Sequence, residues 1–371
     1  MKRLFKIENY WRNIDKHIMV SFFLLFILGI FFSFSSTSFL ADERLNKGYY
    51  FFFQKHLIYA LASFFLMIFV SAINTDLINK SLLTIFLFFL LLLILVPFFG
   101  VEVKGSKRWL NLYIFRFQPV EFIKPFFILL IAQIVTSNWI KNLNLAHLIS
   151  FALLSIVILL LVIQPDLGQS VLLICTWISL IFVSGVNILF FPLILIFVIS
   201  LFFVLLYLAP EKFSYIITRL TSFMDPEKSG SFQSQKATEA IKQGGLTGQG
   251  MGEGILKESV PEAHTDYIIA VVSEEFGSLV SILIVGIFLF IAFRIIKKIV
   301  NFPNNFYKLS LSGLVSLLIF QAFIHVGVNA NLLPTTGMTL PFLSYGGSSL
   351  LSSGIIAGII LNYTSLTEKI E

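Results

Sequence analysis

Apolar residues in this chain come in long unbroken runs, and polar residues gather between the runs. A helix needs about 20 mainly apolar residues to cross a bilayer, and one that faces lipid or another apolar helix is hydrophobic all round. Windows of that length fall near residues 17–40, 52–73, 79–99, 118–137, 146–163, 167–186, 188–208, 264–293, 306–332 and 340–363. The pattern predicts an all-α polytopic membrane protein with ten transmembrane helices. A long extracytoplasmic loop, residues 209–263, is expected between helices 7 and 8 of the transmembrane domain, 17–363. Two cytoplasmic tails, 1–16 and 364–371, complete the chain. The first run follows Lys2, Arg3, Lys6, Arg12 and Lys16, as the apolar part of a secretory signal would. It continues to about Leu40 without a clear cleavage signal, so it reads as a retained span.

Orientation follows from the Lys and Arg content of short flanks. The amino-terminal tail and the later loop with Arg294, Lys297, Lys298 and Lys308 share one face when ten spans are counted, and that face is the cytoplasm. Residues 101–117, VEVKGSKRWLNLYIFRF, run against the rule: they carry Lys104, Lys107, Arg108 and Arg116 and still fall outside. Outward basic residues beside an anionic lipid headgroup would account for them. Composition strengthens the membrane reading, with 57% hydrophobic and 12% charged residues against about 25% charged in soluble domains. The net charge of +6 is scattered over loops and tails without an aromatic-interleaved surface, so lipid headgroups, and no nucleic acid, are the expected partners. The single cysteine, Cys175, lies in an apolar run and brings neither a disulfide nor zinc chemistry.

Charged residues near a bilayer centre cost about 2.5–3.5 kcal/mol on insertion scales, so those present tend to face a cavity or a partner. Gln118, Glu121 and Lys124 open the fourth span as QPVEFIK, with Glu121 and Lys124 three apart on one face, where they can pair. A structural ion pair explains them as well as a site does. QPDLGQS, residues 164–170, makes a very short turn in which Pro165 suits a helix start and Asp166 can cap one. PEAHTDYIIAVVSEE places His264, Thr265 and Asp266 at the mouth of the eighth span, with Glu274 and Glu275 two turns deeper. On a continuous helix Glu274 would lie about 80° around from Asp266 and Glu275 opposite, so one face cannot hold all three. Asp266 can be hydrated and ionised, or can simply favour a helix N-terminus; the deeper pair needs partners.

Residues 329–349, NANLLPTTGMTLPFLSYGGSS, join the last two spans with two prolines, Pro334 and Pro341, and with Gly337, Gly346 and Gly347. Broken helix at membrane depth is tolerated where the backbone lines a cavity or is buried in protein. Ser344, Ser348 and Ser349 can donate to phosphate oxygens, or serve as small packing residues. GQGMGEG follows no strand, which argues against a nucleotide loop. His17, His56, His147, His264 and His325 lack zinc-ligand spacing.

Together, KGSKRWLNL with FRFQPVEFIKP, QPDLGQS, PEAHTDYIIAVVSEEFG and LLPTTGMTLPFLSYGGSS resemble the SEDS family of shape, elongation, division and sporulation proteins over nearly the whole chain. PEAHTD with EEFG, and PTTGMTLPFLSYGGSS, look closer to the division member than to the elongation member. The resemblance implies a ten-helix inverting glycosyltransferase that polymerises lipid II, an undecaprenyl-pyrophosphate-linked disaccharide-pentapeptide, for septal wall synthesis. It carries the family's essential aspartate onto Asp266. The matching polar pattern supplies Arg108, Gln118, Glu121, Lys124, Gln164, Asp166, His264, Thr265, Glu275, Ser344, Ser348 and Ser349 as substrate-binding candidates. Lys104, Arg108 and Lys124 are the basic candidates for the pyrophosphate. Val120 stands where a serine is common and His325 where many relatives have asparagine. No metal ligand is assigned, and a divalent cation at Asp266 stays open. The implied partners are a class B penicillin-binding transpeptidase (FtsI) and the FtsQ, FtsL and FtsB division complex, in the bacterial inner membrane at the septum. An elongation polymerase, a lipid II flippase and a recruiting scaffold are the rival readings.

Overall fold

The computed structural model describes residues 13–45, 50–103, 105–112, 116–137, 140, 142–186, 200, 217–219, 221–224, 232–256, 259–300 and 302–366. Its helices are α1 Lys16–Leu45, α2 Phe51–Ala72, α3 Thr75–Phe99, α4 Pro119–Val135, α5 Leu143–Ile163, α6 Leu167–Val183, α7 Phe232–Gly244, α8 Ile268–Phe276, α9 Ser278–Val300, α10 Asn305–Asn329 and α11 Gly347–Thr364. Among the described residues six are long and apolar enough to cross a membrane: α1 over Lys16–Ser36, α2, α3, α5, α9 and α10. The molecule is a polytopic helical membrane protein. The expected seventh span, 188–208, lies outside the described residues.

Helix starts follow local side chains. Asn74, Asn142 and Asn304 each accept a backbone amide two residues on, opening α3, α5 and α10, and Asp166 accepts the Gln169 amide to open α6. Such oxygens satisfy N–H groups that have no intrahelical partner. Pro119, which needs no partner for its nitrogen, begins α4.

Two sets of polar contacts gather the helix ends. At one end the Asp15 carboxylate meets Lys298 Nζ at 2.9 Å and Arg294 Nε at 3.2 Å, tying the start of α1 to the end of α9. Asn362 of α11 donates to the carbonyls of Val70, Ser71 and Ile73 where α2 finishes. Tyr363 Oη donates to Asn79 at 2.7 Å, and Asn79 in turn donates to Tyr307 at 3.1 Å. The opposite end collects the segment after α3, the α5–α6 turn and the connector 330–346.

Three expectations are corrected. Residues 101–117 are not a plain loop: β1 Val101–Val103, β2 Ser106–Asn111 and β3 Arg116–Phe117 form an antiparallel sheet in the order β1-β2-β3, so the fold is not purely α. The eighth span is not one helix over 264–293. Residues 261–267 are turn, and Gly277, at φ 86°, separates α8 from α9, which runs on to Val300. A Cβ on Gly277 would overlap the Leu246 carbonyl, so the glycine lets the loop after α7 lie across the break. The last helix starts at Gly347 rather than near 340, because Phe342 takes a left-handed conformation, φ 68°, that a right-handed helix does not contain.

Candidate active site

Asp266 sits, half-buried, in the turn that precedes α8. Glu262 takes a left-handed conformation, φ 59°, and its carbonyl oxygen accepts the amides of Thr265, Asp266 and Tyr267 at 3.0, 3.1 and 3.3 Å. Thr265 Oγ1 donates to the Glu262 carboxylate at 3.1 Å. Tyr345 N donates to the His264 carbonyl at 2.9 Å, and the His264 ring packs on Phe52, 4.7 Å between centroids, and on Tyr345, 5.6 Å. The connector passes close to the carboxylate: a Cβ on Gly337 would stand 3.5 Å from Asp266 Oδ2. Two residues before Gly337, the Thr335 carbonyl accepts from Arg219 Nη1 at 3.2 Å.

A second group surrounds the α5–α6 turn. Arg108 of β2 donates to the Gln164 carbonyl at 3.4 Å and to the Pro165 carbonyl, and its Nη1 lies 3.8 Å from Asp166. Gln118 Nε2 donates to Asp166 Oδ2 at 3.4 Å. Burial pushes the Asp166 carboxyl above the usual carboxylate range, and the Arg108 charge opposes it. Gln164 Nε2 donates to the Leu93 carbonyl at 2.9 Å, fixing this turn to α3.

Between these groups lies a buried polar core. Lys124 and Glu121, with side chains 0% and 3% exposed, pair at 2.8 Å. Gln169 Nε2 donates to Glu121 at 2.6 Å, and Lys124 Nζ donates to Gln321 Oε1 at 3.3 Å. Gln321 Nε2 donates to the Thr339 carbonyl at 3.0 Å, linking the pair to the connector. The serines complete the join: Ser348 Oγ accepts the Gln118 amide at 3.0 Å and donates to the Arg116 carbonyl at 3.2 Å, while Ser349 and Thr339 hydroxyls meet at 2.6 Å.

Glu275 stands apart from this network. Its Oε1 accepts the Gly252 amide at 3.2 Å, and Glu274 accepts the Leu256 amide at 2.7 Å. The amides of Gln249 and Gly250 reach the carbonyls of Glu274 and Glu275, both at 2.9 Å. The glycine-rich segment thus lies flat on the end of α8, and Gly248 has no room for a Cβ against the Glu275 carbonyl. The 80° estimate for Glu274 fails because Asp266 precedes the helix. Lys104 lies outside the described residues. Among the described residues no group of three or more His, Cys, Asp or Glu side chains is disposed to hold a metal ion.

The sequence reading missed Gln321 and Asn329, whose side chains hold the connector and the Asp266 turn. The signal was present: Gln321, His325 and Asn329 recur every four residues, a polar stripe on an otherwise apolar helix. Gln169 lies within QPDLGQS with no pattern of its own to mark it, and Arg219, in the long loop, has none either.

A family model described as cell cycle protein, spanning FtsW, RodA and SpoVE, matches residues 15–369. The chain belongs to the FtsW/RodA/SpoVE family. The SEDS resemblance is borne out by that match. Among similar members is the probable peptidoglycan glycosyltransferase FtsW of Caulobacter vibrioides, 34% identical over 360 residues, covering 95% of this chain and 89% of the relative. Stage V sporulation protein E of Bacillus subtilis is 32% identical over 359 residues, covering 94% and 96%. Two solved structures share the fold at 23% identity. RodA of Thermus thermophilus aligns with a TM-score of 0.67 over 95% of this chain and 97% of its own. A chain of a peptidoglycan synthase complex, studied for how it coordinates polymerization and crosslinking, aligns with a TM-score of 0.76 over 95% and 98%.

Proposed function

We propose that this protein is a division-type peptidoglycan glycosyltransferase that polymerises lipid II into glycan strands at the septum. Several relatives of about one-third identity over nearly the full chain carry the name FtsW. The observation that carries the catalytic reading is Asp266: a half-buried carboxylate on an internally bonded turn, at the end of the bundle where the connector and its serines gather. In this reading that end faces outward, all ten spans are present with the seventh at 188–208, and the protein resides in the bacterial inner membrane.

The 4-hydroxyl of an acceptor sugar attacks the anomeric carbon of the growing strand, and undecaprenyl pyrophosphate leaves. An α-linked donor gives a β-linked product in one inverting displacement. Asp266 takes the hydroxyl proton as general base, which requires its ionised form. The leaving diphosphate gains negative charge and is met by charge-assisted donors. Arg108 and the exposed Arg116 supply them at the rim. Lys124, expected at the diphosphate, is fully enclosed by Glu121 and Gln321, so its role here is to hold α4 to α10. Ser344, Ser348 and Ser349 likewise shape the connector from within. Prenyl chains would lie along the apolar helix faces. FtsI, and the FtsQ, FtsL and FtsB complex, are the partners this role calls for.

Asp266→Asn, purified with its transpeptidase partner and given lipid II, is expected to lose at least about 100-fold in strand synthesis, the scale of a general base. Strand synthesis at the wild-type rate would remove Asp266 from the chemistry. Lipid II crossing a bilayer without polymer formation would favour transport instead.

A further inference from the structure

Helix α8 begins without a side-chain cap of its own, since Tyr267 at its entrance provides none. The first amides of any helix lack intrahelical acceptors. Here an acceptor comes from another helix: Ala270 N, which also reaches the Tyr267 carbonyl at 3.0 Å, donates to Asn329 Oδ1, at the end of α10, at 3.2 Å. The same carboxamide donates through Nδ2 to the Asp266 carbonyl oxygen at 3.0 Å and to the His325 carbonyl oxygen at 2.8 Å. Asn329 is 0% exposed, so water is no substitute for these partners. One side chain therefore holds the backbone on both sides of Tyr267, at the residue that carries the carboxylate and in the first turn of α8. Both a donor and an acceptor are needed on one short planar group, which a carboxamide supplies and a carboxylate does not.

We infer that Asn329 is a positioning residue for Asp266: it fixes the main chain from which the carboxylate projects and so sets its placement at the acceptor hydroxyl. This rests on Asp266 acting as the base. The turn is attached a second time, through Tyr345 N to the His264 carbonyl. Asn329 and Tyr345 lie at the two ends of the connector, so this one segment anchors the turn from both sides. Loss of Asn329 frees the half of the turn next to α8 while His264 stays anchored. Misplacement by about 1 Å can cost on the order of 100-fold in rate.

Asn329→Asp separates capping from positioning. It keeps an acceptor for the Ala270 amide, at a helix N-terminus that favours negative charge, but sets a carboxylate oxygen against the Asp266 carbonyl. A capping role alone predicts full activity. Positioning predicts that kcat for lipid II polymerisation falls at least about tenfold, with KM changed less than about twofold, the mark of an interaction used mainly in the transition state. Hydrogen exchange gives a reading that needs no activity. In Asn329→Ser, faster exchange is expected in peptides covering 262–271 and not in those covering the Asn362 contacts with α2. Wild-type kcat in Asn329→Asp, or unchanged exchange in Asn329→Ser, overturns the inference. Asp266→Asn is run alongside: an active Asp266→Asn removes the catalytic reading and this inference with it. An inactive Asp266→Asn beside a fully active Asn329→Asp removes the inference alone.

Discussion

At the scale of single residues, the Glu121–Lys124 pair shows how a polar group survives at membrane depth. Each charge has the other as partner, and each has a carboxamide as well, from Gln169 and from Gln321. Removing one member leaves its partner charged and enclosed, which costs roughly 3–5 kcal/mol for buried pairs. Lys124→Ala is therefore expected to lower the thermal unfolding midpoint in detergent sharply. Glu121→Gln with Lys124→Gln is expected to recover much of that loss, and additive losses would contradict the pairing. The sequence announced this pair by its three-residue spacing on a predicted helix. The polar stripe of Gln321, His325 and Asn329 marked a face of α10, but not that Gln321 meets Lys124, because contact between α4 and α10 depends on how distant helices pack. Asp266 illustrates the same limit. Its motif identified the residue, whereas the Asn329 carboxamide beneath its main chain lies 63 positions away.

At the scale of elements, boundaries in long apolar runs were legible to within a few residues, since lipid-length hydrophobic stretches and Asn caps set them. Breaks inside an expected span were not. Gly277 falls in the polar stretch SEEFGS, which one helix could also carry with partners, and only the Leu246 carbonyl lying against it shows why the helix must stop. The β1–β2–β3 sheet was hidden because three short strands in a basic segment lack a run long enough to alternate. Gly277→Ala places a side chain at φ 86° and against that carbonyl, so it is expected to destabilise by more than about 1 kcal/mol. Gly286→Ala, on α9 with nothing near the site of a Cβ, is the matched control. It should be neutral or stabilising by up to about 1 kcal/mol through helix propensity. Equal unfolding midpoints for the two variants would show that the break is not needed.

At the scale of the whole molecule, Asp15 joins the first helix to α9 at the end remote from Asp266. Burial alone would raise its carboxyl, but the Lys298 hydrogen bond, the Ile18 amide and the charges of Lys298 and Arg294 outweigh burial and hold it below the ordinary carboxylate value. A lowered pKa in the folded state means that the stabilisation is present above the unfolded value of about 3.9 and is lost as pH falls through the folded one. Acid titration of thermal stability is expected to show this loss in the wild type, and Asp15→Asn should be less stable at neutral pH with a shallower acid limb. Parallel acid limbs would show that Asp15 contributes nothing to it. The connector between α10 and α11 has a different kind of consequence. Because Asn329 and Tyr345 grip the same turn from its opposite ends, the chain between them works as a bridge of fixed span. An inserted or deleted residue would pull one abutment off its bearing, so among descendants of this protein that stretch should keep its length.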